Sequence, residues 1–213
     1  MPNRTEITRL REKASTDRAA LDALLDACIV GHFGMVDESG APVVIPTAIV
    51  RDADTVLAHG STGSPWMRRL AAGAPTCLTV TVLDGVVVAR SAFESSLHYR
   101  SAVLFGSCTV LGEDDKPRAL DLITERLIPG RTAEIRRPTR QELAATLVLV
   151  LPVTEWSLKI SAGWPDDLAE DVAGAAWAGV VPLVVGHGAP IAAPDLASGI
   201  PVPPSVGNLA DSD

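Results

Sequence analysis

A succession of short β-branched segments, each ended by turn chemistry, constrains this chain more than any other feature. CIVGHFGMV (28–36) stops at DESG, PVVIPTAIV (42–50) stops at RDAD, and TVLAH (55–59) runs into GSTGSP. TCLTVTVL and VVVARSAF flank Asp84-Gly85, a dipeptide suited to a two-residue hairpin. A long alternating strand is expected over Tyr99–Leu111 and a later one over Leu147–Trp156. Strands that do not alternate with helices argue against a doubly wound sheet. They predict a mostly β fold, an antiparallel barrel or sandwich with α additions.

Helical periodicity is confined to a few places. Leu21, Leu24, Leu25 and Cys28 fall on one face of a helix over Asp17–Cys28, with Asp17 as its cap. Ser64-Pro65 opens a second helix that should stop near Gly73, and a third spans about Asp115–Leu127. Thr139 and Glu142 have the spacing of a capping box for a short fourth helix. The organisation read from this pattern is a polar N-terminal arm (1–16), one β-rich domain (17–184) and an extended Pro/Gly/Ala-rich tail (185–213).

The 213 residues suffice for one ordinary domain with a proper core. A formal net charge of −8 disfavours nucleic acid as a partner, because phosphate binding wants a basic face. No apolar run is long enough to span a bilayer, so no membrane role is expected. The cysteines are Cys28, Cys77 and Cys108, an odd number without C-x-x-C pairing, which fits buried thiols in a reducing cytoplasm.

Nucleotide and hydrolase signatures are missing: there is no Walker loop, no G-x-G-x-x-G after a strand, and no nucleophile elbow. His32, His59, His98 and His187 are scattered without ligand spacing, so no metal cluster is expected. The segment LAHGSTGSPWMRRL (57–70) is richer. A helix start at Ser64-Pro65 leaves the amides of Trp66, Met67 and Arg68 open. Ser61, Thr62 and Ser64 add hydroxyls, and Arg68 and Arg69 add charge. The same residues also suit a capped surface helix. In HYRSAVLFG (98–106), Arg100 shares a strand face with Ala102 and Leu104, so it must reach solvent or meet an anion. Tyr99 is the chain's one tyrosine, and Lys159, Trp164 and Trp177 lie close to turns, where the aromatic rings suit a planar ligand or core closure.

The ordered set LLDACIVGHFGMV, PVVIPTAIV, LAHGSTGS, GAPTCLTVTVLDGVVVARSAF, YRSAVLFG, LIPGR with RRPTRQEL, LKISAGWPDD and WAGVVPL resembles the pyridoxamine 5′-phosphate oxidase-related flavoproteins, in particular the branch of the 5-nitroimidazole reductases. That resemblance covers roughly Arg9 to Pro204. It implies a split β-barrel of Greek-key-like, antiparallel strands with flanking helices, paired as a homodimer around FMN, and an oxidoreductase acting on a small planar substrate. Within it Pro46, Thr47 and Ala48 would run beside the flavin ring. His59, Gly60, Ser61, Thr62 and Ser64, with Arg68 and Arg69, would hold the flavin and its phosphate. Tyr99, Arg100, Ser101 and Trp177 would complete the groove, and His59 and Lys159 would be the catalytic groups. The same fold also carries haem or a deazaflavin, or serves as a binding module or scaffold without cofactor. Pro65 and Trp66 stand where relatives place cations, which leaves a phosphate to backbone amides, hydroxyls and the two arginines.

Overall fold

The computed structural model describes residues 4–212. Helix α1 (Arg18–Ala27) starts where Asp17 accepts the Ala19 amide at 2.9 Å, and its Leu21, Leu24 and Leu25 are buried. It leads into the strands β2 (Val30–Val36), β3 (Pro42–Asp52) and β4 (Thr55–Ser61). The arm before α1 forms a 3-10 turn (Arg11–Lys13) and a two-residue strand β1 (Ala14–Ser15). After β4 come α2 (Pro65–Ala71), β5 (Pro75–Val88), β6 (Ser96–Ser107) and β7 (Thr109–Val110). The chain continues through α3 (Lys116–Leu127), α4 (Arg140–Ala144), β8 (Thr146–Pro152) and β9 (Glu155–Ser161). It ends with α5 (Ala169–Val172), β10 (Gly179–Pro182) and α6 (Pro204–Ala210). Thr139 and Glu142 make the expected capping box at α4.

All strand pairs are antiparallel, in the order β1-β9-β6-β5-β2-β3-β4-β8-β7, with β10 on the free edge of β5 beyond β2. The two outermost strands, β1 and β7, do not pair with each other, so the sheet curls as a split barrel and stays open. Its inner face holds the main core, including Phe33, Ile49, Ala58, Leu78, Val80, Ala102, Leu104 and Leu158. Helix α2 seals that core with Met67 and Leu70. Helix α3 lies on the outer face instead, where Ala119 and Ile123 cover Val50, Leu57 and Val148.

Three local expectations change. The reversal expected at Asp84-Gly85 does not occur there: β5 runs through it, and Asp84 is an extra residue between the pairs Leu83–Tyr99 and Gly85–His98, a β-bulge. The chain turns instead within Ala89–Ser95. Gly85 is needed for a close approach, since a Cβ there would sit 3.0 Å from the Val181 carbonyl oxygen of β10. The strand expected over Leu147–Trp156 is two strands, β8 and β9, separated by a bend at Val153-Thr154, whose Val153 amide donates to the Asp54 carbonyl; β8 pairs with β4 and β7, and β9 with β6 and β1. The strand expected to end at Leu111 breaks at the buried Cys108.

Segments toward both ends of the described residues are tied to the rest of the domain. Ala14 and Ser15 extend the sheet beside Lys159 and Leu158. The C-terminal segment is exposed through most of 183–203, then re-docks as a helix, the buried Ser205 donating from its amide and hydroxyl to the Glu134 carboxylate. No helix among the described residues is long and apolar enough to cross a membrane.

Candidate functional site

Because strand side chains alternate, the register decides which candidate residues can meet. Lys159 of β9 lies opposite Ser101 of β6, which lies opposite Thr81 of β5. Val30 of β2 lies opposite Ala48 of β3. Continuing the β2–β5 register by two residues and the β3–β4 register by one sets Val30 beside Thr81 and Ala48 beside His59. One transverse row on the outer face therefore carries Lys159, Ser101, Thr81, Val30, Ala48 and His59. The neighbouring row adds Pro46 and His32. Five strand steps of about 4.8 Å separate Lys159 from His59, so the two proposed catalytic groups lie roughly 24 Å apart along the sheet.

This face differs from the core. Thr81, Val30, His32 and Pro46 are exposed, whereas Lys159, Ser101, Ala48, Tyr99 and His59 are half-buried. Lys159 forms no ion pair with any described residue. His59 stands just past the edge of α3's cover, two residues beyond Leu57 and opposite Val148. Its Nδ1 is buried and has no hydrogen-bond partner among the described residues, and burial pushes the imidazole pKa below its ordinary value. A neutral imidazole with an unmet ring nitrogen suits metal ligation or proton exchange better than ion pairing. Of the other histidines, His98 Nε2 meets the Gly163 carbonyl at 2.8 Å and His187 meets Ser212.

Alternation also divides the YRS cluster. Tyr99 and Ser101 face outward, while Arg100 sits opposite Val82 and Ile160 on the inner face, at the barrel mouth. The anion it meets is Asp84 of the bulge, bound through two hydrogen bonds of 3.0 and 2.8 Å. Arg100 holds the Asp84 carboxyl below its usual range, and Asp84 raises the guanidinium in return. Asp84 read as a turn residue in the sequence, and nothing local marked it as Arg100's partner.

The segment after β4 is also more committed than its sequence suggests. Ser61 Oγ accepts from the Gly63 amide, Ser64 N donates to Ser61 O, and Thr62 N donates to Ala145 O. Ser64 occupies the cap position of α2 without a side-chain cap bond, and the Arg68 amide is taken by Ser64 O. Trp66 and Met67 thus keep the open amides. Gly60 faces the core, where a Cβ would lie 3.1 Å from Met67 Cγ, so it lets α2 approach β4. Thr47 points inward opposite Gly31, leaving Pro46 and Ala48 as the outward residues of that triplet. Trp177 is 65% exposed at the start of β10, packs on Gly179, and lies near the β5–β6 turn, away from the row. Arg68 and Arg69 line a cleft with Trp66 at the barrel end, a combination that was not apparent from sequence spacing.

The family model described as pyridoxamine 5′-phosphate oxidase matches residues 17–160, about two thirds of the chain. The chain belongs to that family. Among solved structures, it is 55% identical to the FAD and haem binding protein from Mycobacterium smegmatis, over 92% of this chain and 97% of that one, with a TM-score of 0.89. The flavocytochrome Anf3 from Azotobacter vinelandii is 34% identical over 97% and 96% of the two chains, at a TM-score of 0.90. A protein from Bacteroides thetaiotaomicron described as a 5-nitroimidazole antibiotic resistance protein is 18% identical over 69% and 86%, at 0.59, and shares the fold. Among curated proteins none matches.

Proposed function

We propose that this protein is a flavin-dependent oxidoreductase of the flavocytochrome type, carrying FAD and haem on the outer face of its split barrel. The observation that supports this most is the 55% identity, over nearly the whole of both chains, to a protein that binds FAD and haem. FAD replaces FMN as the favoured flavin on that ground.

The chain's own residues suit both groups. His59 carries an imidazole that burial shifts toward its neutral form, beside the apolar Val30, Ala48 and Pro46, which is the chemistry of a haem ligand in an apolar bed. Lys159, half-buried beside Ser101 and in no ion pair among the described residues, suits the electron-rich edge of a flavin, with Tyr99 on the same face. Ser61 and Thr62 hydroxyls would take the flavin phosphate. When bound, flavin and haem supply two- and one-electron transfer, while the protein sets their positions and excludes water.

A second copy of the chain is the partner this reading requires. Phe93, Trp164 and Trp177 are 91%, 79% and 65% exposed in the connections, and Val30, Val44 and Leu83 add exposed apolar surface on the strands. Such patches mark interfaces. The cytoplasm is the matching compartment, since Cys28, Cys77 and Cys108 are free thiols.

The test is the visible spectrum of the purified protein after incubation with FAD and haemin and removal of excess. Flavin bands together with a Soret band, each at one equivalent per chain, are the expected result. A protein that retains neither group overturns the reading.

A further inference from the structure

The cofactor row leaves unused a cleft at the split of the barrel, between the N-terminal arm and β9. It measures about 590 Å3, the size of a small-ligand site. Trp156 and Leu158 of β9, whose side chains pack with the main core, line it from the barrel side. Ile7 and Ala14 line it from the arm, which precedes the stretch 17–160 matched by the family model.

The charges of the lining cancel. Arg11 lies 3.7 Å from Glu6, and Glu155 is held by Arg4, which is stacked 4.9 Å over the Phe105 ring. An ionised ligand would therefore meet no uncompensated opposite charge. Three hydroxyls of the lining, on Thr16, Thr154 and Ser157, make no hydrogen bond among the described residues. A hydroxyl rotates to donate or to accept, so these groups serve a carbonyl and a phenolic hydroxyl equally well. Next to the half-buried indole of Trp156 they suit a planar ring with oxygen substituents.

The cleft adjoins one end of the cofactor row. Ser157 lies two residues before Lys159 on the same strand face, about 7 Å from it along β9, and Ala14 pairs with Lys159. The arm over the cleft is lightly held. Its strand β1 pairs through two residues, the Arg4–Glu155 pair is exposed to solvent, and Leu10 takes a left-handed φ of 55°, a costly conformation for leucine. Lifting the arm is thus a route of entry.

We propose that this cleft binds a neutral quinone or its quinol, with the ring against Trp156 and Leu158 and the oxygens on Thr16, Thr154 and Ser157. Binding stands apart from the cofactors, while the ligand's part as substrate of the redox face rests on the flavin reading above.

The probe is duroquinone, whose fully methylated ring resists addition by the chain's free thiols, titrated calorimetrically into the full-length protein before and after loading with FAD. The expected result is saturable binding at one site per chain, matched within threefold by its quinol under anaerobic conditions and at least tenfold weaker for the anionic tetramethylbenzoate. Ile7→Asp places a charge on the arm side of the cleft, away from the buried core. That variant and the double variant Thr154→Val with Ser157→Ala should each weaken duroquinone binding at least tenfold, at unchanged melting temperature and FAD content. Unchanged affinity in both variants, or tetramethylbenzoate bound as tightly as duroquinone, overturns the site. FAD uptake without duroquinone binding overturns the site alone. Duroquinone binding by a protein that takes up no flavin keeps the site and overturns the flavin reading.

Discussion

The two faces of one sheet carry opposite chemistry. The inner face between β2, β5, β6 and β9 is filled by Phe33, Leu78, Val80, Ala102, Leu104 and Leu158, all at 1% exposure or less. One residue away along each strand, the outer face holds His32, Thr79, Thr81, Ser101, Lys159 and His59, with no helix over most of it. A period of two thus gives each strand a core-facing side and a side that carries the candidate site. That is why Arg100 and Ser101, neighbours in sequence, end on different faces, one in an ion pair and one on the candidate cofactor row.

Substitutions that exchange the roles of the faces should break this contrast. The largest effect is expected for Leu78→Ala, which empties a fully buried inner position and should cost about 2–5 kcal/mol in denaturant unfolding. A loss below about 1 kcal/mol would show that the inner face is not the core. Gly85→Val comes next: its side chain meets the Val181 carbonyl and Val180 at 3.0 and 3.1 Å, so β10 must move away. The expected cost is about 1–3 kcal/mol, with faster hydrogen exchange at Gly179–Pro182. Unchanged exchange there would contradict the close approach.

Alkaline pH gives a smaller, graded effect. Burial pushes the Cys108 thiol up to about 11, so the folded protein keeps its proton where the unfolded chain has lost it. More protons bound in the folded state means that stability falls as pH rises, from the unfolded thiol's pKa of about 8.5 toward 11. Cys108→Ala should flatten that part of the urea midpoint–pH curve, and an equally steep curve would remove Cys108 as its cause. The smallest effect is expected for Thr81→Ala, an exposed outer position, within about 0.5 kcal/mol of wild type. A cost comparable to that of Leu78→Ala would erase the difference between the faces.

Much of this architecture was legible in the sequence, because local rules agreed with the fold. Asp17 caps α1, Pro65 opens α2, Gly73 follows it at a positive φ of 82°, and Thr139 with Glu142 builds the capping box. Asp84-Gly85 misled because the dipeptide satisfies a hairpin and a bulge equally well. Only β10, arriving from nearly a hundred residues later, decides between them. The outer row could not be read at all, since register is set by pairings across the whole chain. Of the residues singled out, Ala48, His59, Ser101 and Lys159 fall on the row, and Pro46 beside it. Thr47, Gly60 and Arg100 face inward, and Trp177 lies apart. Trp66 read as a departure from the family pattern at a phosphate corner, yet it walls the cleft that Arg68 and Arg69 share.

The claim that the outer face is the redox face rests on His59 more than on any other side chain. Haemin titration into wild type and His59→Ala, followed in the Soret region on protein already loaded with FAD, tests it most directly. The account predicts one equivalent of haem in wild type, at least a hundredfold weaker binding in His59→Ala, and unchanged FAD content and melting temperature. Haem binding of wild-type affinity in His59→Ala, with the same Soret position, would contradict it.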